Sequence, residues 1–561
     1  MRFSLLFAVF FVSCSLSWGQ TQTLSPQVSR KIDSVFAAWN KGNSPGAVVG
    51  VVHKGQLVYQ KAFGYADVQK RHPLTVQHQF WVASVAKQFT AACVALLAEE
   101  GKLHLQDDVR KYLPELPAFK DTVRIEHLLY HTSGLRDGFT LIGLTLKGEK
   151  HYTNARVLEM LYRQQELNFS PGTRHEYNNG GYVLLAQLVE RVSGQSFAAF
   201  AQERIFKPLG MTHSHFYGKI SKAIPQLAQG YGVTYKNNQT RYKPVHFKAN
   251  TVGSSGLVTT LEDLVKWDQN FYRNQMGQKN QALVQLLTTS GRLRNGEPIP
   301  YALGLEVDIY KGVPTITHTG SDPGYMAELV RFPEHELSII CLANTNDLYS
   351  LTQRLQQIGE WFLPPTGAAA SIGQLPQAPS AAPLESLPGI YLNLENLSDA
   401  RYVTRQGEKL LAATSPKGFQ ETLKPSSPGV FSNEWLPSRY YAFSGLPETS
   451  NISLEYRSWA TRQSLEKVDS AQYTPQVLEQ FTGTYYSPEL KKRFRVTARK
   501  GQLRLSLFRL VHLPFLSVAG HRFLFDLQGN NCLEFQVGKD GRLEGFTFSR
   551  EAVTRLWFVK K

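Results

Sequence analysis

From residue 364 to residue 383 five positions of twenty are proline and six are alanine, with no hydrophobic period. Such a stretch cannot bury a core and reads as a linker, so it cuts the 561-residue chain into two parts. The parts differ in kind. Before the linker, apolar residues recur at helical as well as strand spacing; after it, only short alternating runs occur. With 42% hydrophobic and 19% charged residues, the chain has apolar surface for packed cores, which excludes a disordered, collagen-like or coiled-coil protein.

The first part opens with Val28, Ile32, Val35, Phe36 and Trp39, the spacing of an amphipathic helix. Gly42-Asn43-Ser44-Pro45-Gly46 breaks it. The runs Ala47 to Val52 and Gln56 to Phe63, joined at Lys54-Gly55, predict a β-hairpin. Near residue 350 this order is mirrored: Leu329 to Phe332 and Leu337 to Leu342 flank Pro333-Glu334-His335, and Leu351, Leu355, Ile358 and Phe362 mark a closing helix. The expected architecture for residues 20–363 is therefore α+β: an antiparallel sheet uniting both ends and flanked by helices, with a large helical insertion over roughly residues 85–270. Because the sheet closes before the linker, this part is expected to fold alone.

Beyond the linker the reading is all-β. Arg493 to Thr497 alternate, and Leu503, Leu505 and Leu507 face one way after Lys500-Gly501. Leu387-Pro388-Gly389-Ile390-Tyr391 recurs as Phe481-Thr482-Gly483-Thr484-Tyr485, an offset of 94 residues, so two small units are expected, at 384–470 and 471–561.

Chemistry concentrates in three places of the first part. Ser84-Val85-Ala86-Lys87 opens a helix that is apolar nearly all round and stops at Gly101. A serine there is ordinarily an N-cap. Lys87, however, lies at i+3 on the same face, and a buried amine loses affinity for its proton until it can accept one from a serine hydroxyl. Tyr177-Asn178-Asn179 combines a phenol that can shuttle protons with an amide that can hold a carbonyl. His318-Thr319-Gly320-Ser321 ends the apolar run from Val313 to Thr317, and its glycine would let a substrate backbone approach closely.

The ordered set SxxK, YxN and HTG resembles the serine β-lactamase and penicillin-binding protein superfamily, in its class C-like branch of DD-peptidase and D-aminopeptidase-like enzymes. Leu128-Leu129-Tyr130-His131-Thr132-Ser133-Gly134-Leu135, Phe169-Ser170-Pro171-Gly172 and Gly253-Ser254-Ser255-Gly256-Leu257 are similar to that branch as well, over about residues 25 to 362. The resemblance implies an acyl-transfer enzyme. In it Ser84 attacks a carbonyl, Lys87 and Tyr177 manage protons, and Asn179, His318, Thr319, Gly320 and Ser321 hold the substrate. The backbone amides of Ser84 and Ser321 form the oxyanion hole. Whether Lys87 or Tyr177 is the base stays open at this level.

Class C β-lactamases carry lysine where this chain has His318, a form that resembles the DD-peptidases and D-aminopeptidases. A neutral, partly exposed imidazole is a weaker anchor for a substrate carboxylate. The resemblance therefore favours D-amino-acid peptides or related amides and esters as substrates, with a β-lactamase or lipolytic esterase on the same scaffold as the alternative. A non-catalytic wall-binding or sensor protein is the alternative of another class. The two units after the linker resemble small barrel-like domains appended to some D-aminopeptidase-like members. His131, in a tight Thr-Ser-Gly turn, reads as structural.

The remaining features bound the partners. Met1-Arg2, an apolar run from Phe3 to Val12 and small residues at Ser17 and Gly19 form a signal peptide over residues 1–19, cleaved after Gly19. An exported protein, periplasmic or extracellular, is expected; Cys14 after Phe11-Val12-Ser13 is an imperfect lipobox and the alternative is a lipoprotein. The other cysteines, Cys93, Cys341 and Cys532, are too few for a disulfide framework and read as buried thiols. Neither metal nor cofactor is expected, since His213-Ser214-His215 is an isolated pair and no CxxC or HExxH occurs. The net charge of +16 invites an anionic partner. No nucleic-acid-binding motif accompanies it. The cluster Lys491, Lys492, Arg493, Arg495, Arg499 and Lys500 could meet a cell-wall polymer, a solvated edge strand being the simpler reading. The sequence does not fix the oligomeric state.

Overall fold

The strand Ala47–His53 is apolar at almost every position because both of its faces are covered. In the computed structural model, Val48 and Val52 join one apolar cluster while Val49 and Val51 join another. The structure describes residues 24–40, 42–145, 152–218, 223–236, 239–246, 250–346, 351–364, 383–415, 418, 420–433, 439–445, 452–458, 461–508, 511–526 and 530–561. The signal segment, with Cys14, and nearly all of the linker lie outside these residues.

Six antiparallel strands form the central sheet, in the order Glu306–Tyr310, Val313–Asp322, Tyr325–Phe332, Leu337–Ala343, Ala47–His53 and Gln56–Phe63. Both predicted hairpins are present, and the pair Val49 and Cys341 marks where the two ends of the domain meet. The helices Pro26–Val35 and Leu351–Glu360 cover one face with Ile32, Leu355 and Ile358. Helix Leu261–Tyr272 covers the other, so closely at Gly50 that a Cβ there would lie 2.6 Å from a Leu261 methyl. Beyond it lies the helical insertion, in which helix Ala86–Glu99 packs against Asn179–Ser193. Residues 86 to 97 of the former are all buried.

After the linker, the strands from Gly389 to Val468 close into an eight-stranded barrel. Those from Gly483 to Lys560 form a nine-stranded sheet whose strand Val511–Pro514 curls back beside Arg522–Asp526. The sequence repeat has a physical basis. The Tyr391 hydroxyl donates to Leu387 O and the Tyr485 hydroxyl to Phe481 O, each at 2.7 Å. Between them Gly389 and Gly483 take φ of 156° and 145°, which glycine alone adopts readily. Lys467 and Lys560 then cap the preceding turns at Ser386 O and Gln480 O.

Two expectations are corrected. Strand Lys492–Arg499 is not an edge: it pairs with Gly483–Ser487 on one side and Gln502–Phe508 on the other, with Phe494 and Val496 inward and Arg493 and Arg495 exposed. Nor are the two parts separate bodies. One apolar cluster runs without a break from Leu128 and Leu135 to Phe494, Val553 and Phe558, so the last unit packs onto the helical insertion. Among the described residues, Cys93, Cys341 and Cys532 are buried and unpaired. Among the described residues, no helix is long and apolar enough to cross a membrane, and no group of three or more metal-ligating side chains occurs.

Candidate active site

Ser84 is the one residue between His78 and Leu97 that is not buried. It sits in the 3-10 turn Ala83–Val85 that leads into helix Ala86–Glu99. It does not act as an N-cap: the helix is preceded by Val85 in helical conformation, with no side-chain capping bond. Ala83 has φ of 47°, a left-handed backbone that costs a non-glycine residue energy and turns the serine out of the core.

The Ser84 Oγ lies 2.9 Å from Lys87 Nζ, which also contacts Asn179 Oδ1 at 2.8 Å and Ser254 O at 2.9 Å. Lys87 is wholly buried, and that burial pushes its pKa down to about 7 against the opposing pull of Asp322, Asp137 and Glu306. Tyr177, half-buried, bonds to Ser84, and desolvation holds its phenol neutral with a pKa well above the usual value. Its ring centroid is 4.9 Å from Lys87 Nζ. The first two motifs thus meet at one hydroxyl.

Asn178 caps helix Asn179–Ser193 through Gly181 N. His131, with φ of 56°, accepts from the Asn178 amide at 3.1 Å and lies 4.3 Å from the Tyr177 ring. Its work is to hold that loop, in line with the structural reading of the sequence.

The third motif reaches the same place from the sheet. Strand Glu306–Tyr310 covers its neighbour only as far as Thr317, so the edge of His318 to Asp322 is open where it passes the Ser84 turn. Gly320 is the point of closest approach: a Cβ there would lie 2.2 Å from Val82 O and 3.1 Å from Ser84 N. This glycine therefore admits the nucleophile turn rather than, as the sequence suggested, a substrate backbone. Ser321 is exposed and Thr319 half-buried.

His318 differs from the partly exposed ring that was expected. It is 1% exposed, and burial, with Lys87 nearby, lowers its pKa to about 3. Nδ1 lies 2.6 Å from Thr319 O and Nε2 3.0 Å from the Tyr301 hydroxyl. A carbonyl only accepts, so Nδ1 carries the hydrogen and Nε2 receives one from Tyr301. The cause is strand alternation: His318 shares a face with Gly320 and packs beneath Tyr177, 6.3 Å between ring centroids, while Thr319 lies on the other face of the sheet beside Glu328 and Cys341.

Four contributors escaped sequence reasoning. Tyr301 belongs to no motif. Asp137 accepts from Gly180 N at 2.8 Å. The Ser254 carbonyl, though it lies in a quoted stretch, acts through its backbone, which no side-chain pattern reveals. Asp322 directly follows the third motif and was legible as a carboxylate; burial lifts its pKa to about 7, with Lys87 opposing.

A cavity of about 830 Å³ opens beside Tyr177 and Tyr301. Its far wall comes from the barrel, at Glu395, Asn396, Asp399 and Glu466, with Glu551 from the last unit. Ser84 lies beyond this lining, and Tyr177 links the two.

The fold and this convergence of serine, lysine and tyrosine define a serine acyl-transfer enzyme. The chain belongs to the beta-lactamase family, whose model matches residues 32–357, and members of that family are serine hydrolases acting through an acyl-enzyme. It is 30% identical over 348 residues to a penicillin-binding protein of Bacillus subtilis (strain 168), a match covering 60% of this chain and 76% of that protein. It is 30% identical over 307 residues to a D-aminopeptidase of Brucella anthropi, covering 54% of this chain and 56% of that one. The octameric penicillin-binding protein homologue from Pyrococcus abyssi shares the fold, with a TM-score of 0.52, 22% identity, and 79% and 99% of the two chains covered.

Proposed function

We propose that this chain is an exported serine hydrolase that cleaves peptides of D-amino acids, or closely related amides, through an acyl-enzyme on Ser84. The observation that carries the mechanism is the hydrogen count at Lys87. A neutral amine has two hydrogens and one lone pair. The surroundings offer two pure acceptors, Asn179 Oδ1 and Ser254 O, and one hydroxyl, that of Ser84. The amine donates to the first two and turns its lone pair to Ser84. With a pKa of about 7, it is neutral in about half of the molecules at neutral pH.

Lys87 is then the base that takes the Ser84 proton as Oγ attacks the scissile carbonyl. Tyr177, held as a phenol, passes a proton to the departing amine and is replenished from the Lys87 ammonium. The open strand edge beside Ser84 supports an oxyanion hole from the Ser84 and Ser321 amides. Asn179 orients the substrate, and the open strand edge at Thr319 and Ser321 lines its path. In the second half of the cycle water replaces the amine and the same groups run in reverse.

The cavity supports an aminopeptidase-type specificity. Its lining holds seven acidic side chains and three guanidiniums; burial raises the Glu306 pKa to about 8 and keeps that group neutral, so six carboxylates face three guanidiniums and a substrate bringing a free ammonium is favoured over one bringing a carboxylate. Hydrolysis of D-alanine p-nitroanilide and of its N-acetyl derivative separates the readings. The free amine should be cleaved with the larger kcat/KM; equal rates would remove the charge argument. The Met1 to Gly19 segment supports export, which N-terminal sequencing of the secreted protein checks.

A further inference from the structure

The loop that carries Tyr177 is held on its inner side by residues 131–137 and on its outer side, through those same residues, by the last β unit. Asn178 Nδ2 donates to Leu135 O and Gly180 N to Asp137 Oδ2. Between Leu135 and Asp137 stands Arg136, 1% exposed, whose side chain leaves the catalytic domain. Its Nη1 reaches Glu489 Oε1 at 3.0 Å and its Nε reaches Thr554 O at 3.1 Å, while Glu166 O accepts from Nη1 at 2.8 Å. Glu489 is itself only 6% exposed. The backbone repeats the link, for Asp137 N donates to Ala552 O at 2.8 Å.

A second bridge runs parallel to the first. Asn168 accepts from Thr554 N at 2.8 Å and donates to Ala552 O at 3.1 Å and to Glu176 Oε1 at 2.7 Å. Glu176 is the residue before Tyr177. Both flanks of the Tyr177-Asn178-Asn179 motif are therefore tied to one hairpin, at residues 552–554, of a unit that supplies none of the three motifs.

We infer that Arg136 is a positioning residue for catalysis: by docking on Glu489 and the hairpin of the last β unit, it sets where Tyr177 and Asn179 stand relative to Ser84 and Lys87. The 471–561 unit is then part of the acylation machinery and not an accessory. A buried guanidinium without its carboxylate cannot keep its place, and an ångström of displacement at a proton-transfer group is enough to slow the reaction strongly.

The inference rests on the assignment of Ser84 and Tyr177 above. Its test compares Glu489→Gln with wild type in the full-length chain, using a fluorophosphonate probe. Total labelling at completion counts the folded sites, so the acylation rate constant per labelled site is independent of any unfolded fraction. Positioning predicts a per-site constant lowered about tenfold or more, with a displaced pH profile. Leu478→Ala, a core truncation in the same unit that leaves these bonds in place, should reduce the number of sites but not the rate of each. Should Glu489→Gln fail to fold, Asn168→Ala, at a half-buried position, tests the parallel bridge and should also lower the per-site constant. A wild-type per-site constant in the variant that folds overturns the coupling. Persistent labelling of Ser84→Ala overturns the site assignment instead.

Discussion

Replacing Gly320 by alanine places a single methyl group where the sheet meets the nucleophile turn. The new carbon would lie 2.2 Å from Val82 O, about 1 Å inside the ~3.3 Å at which carbon and carbonyl oxygen ordinarily meet. Neither side yields freely. Gly320 is paired with Ala327 in the sheet, and Val82 N is bonded to Leu257 O at 3.1 Å. The strain falls on Ser84 and on Ala83, whose backbone already stands in the left-handed region. Overpacking of this kind costs about 1–3 kcal/mol, and a shift of about 1 Å at the reacting atom costs about 100-fold in rate. The assay is the second-order rate constant for fluorophosphonate labelling, with circular dichroism to show that the variant is folded. A loss of about 100-fold in a folded protein is expected. A folded variant that labels like wild type would mean that Gly320 does not set the position of Ser84.

Acylation should rise about tenfold per pH unit below pH 7 and level off above it, because the reactive form is the Lys87 amine whose pKa lies at about 7; a limb above pH 9 alone would instead make Tyr177 the base. His318→Lys should lower the melting temperature and weaken activity, since it buries an ammonium where a neutral ring now sits; tighter binding of carboxylate-bearing β-lactams would show that position 318 faces substrate after all. A chain ending at Leu363 should bind the dye ANS and aggregate, because it uncovers Arg136 and the apolar surface shared with Val553 and Phe558; a monomeric, cooperatively melting fragment would refute the continuous core.

The elements that position the site were readable where one physical rule acts alone. The hairpin at Lys54-Gly55 followed from turn chemistry, the SxxK helix from its apolar circumference, and the Gly-x-Tyr repeat from a motif that proves to be one hydrogen bond made twice. What stayed hidden depends on contacts between distant segments. A proline- and alanine-rich linker announces freedom between two bodies, but nothing local tells Arg136 that Glu489, 353 positions later, will neutralise it. His318 was misjudged in exposure because a motif fixes which residue stands at a strand end, while only the register fixes which way it points. Gly320 was read as room for substrate when the space is occupied by the enzyme's own turn. Tyr301 and the Ser254 carbonyl left no sequence signal, since one is an isolated aromatic and the other a backbone atom.

The central claim is that Ser84 forms the acyl-enzyme with Lys87 as its neutral base. Peptide mapping of the fluorophosphonate-labelled protein tests it most directly. The account predicts a single adduct on the peptide containing Ser84, absent from Ser84→Ala, whose turnover falls by about a thousandfold or more while its fold is kept. An adduct on another residue, or undiminished labelling of Ser84→Ala, would contradict it.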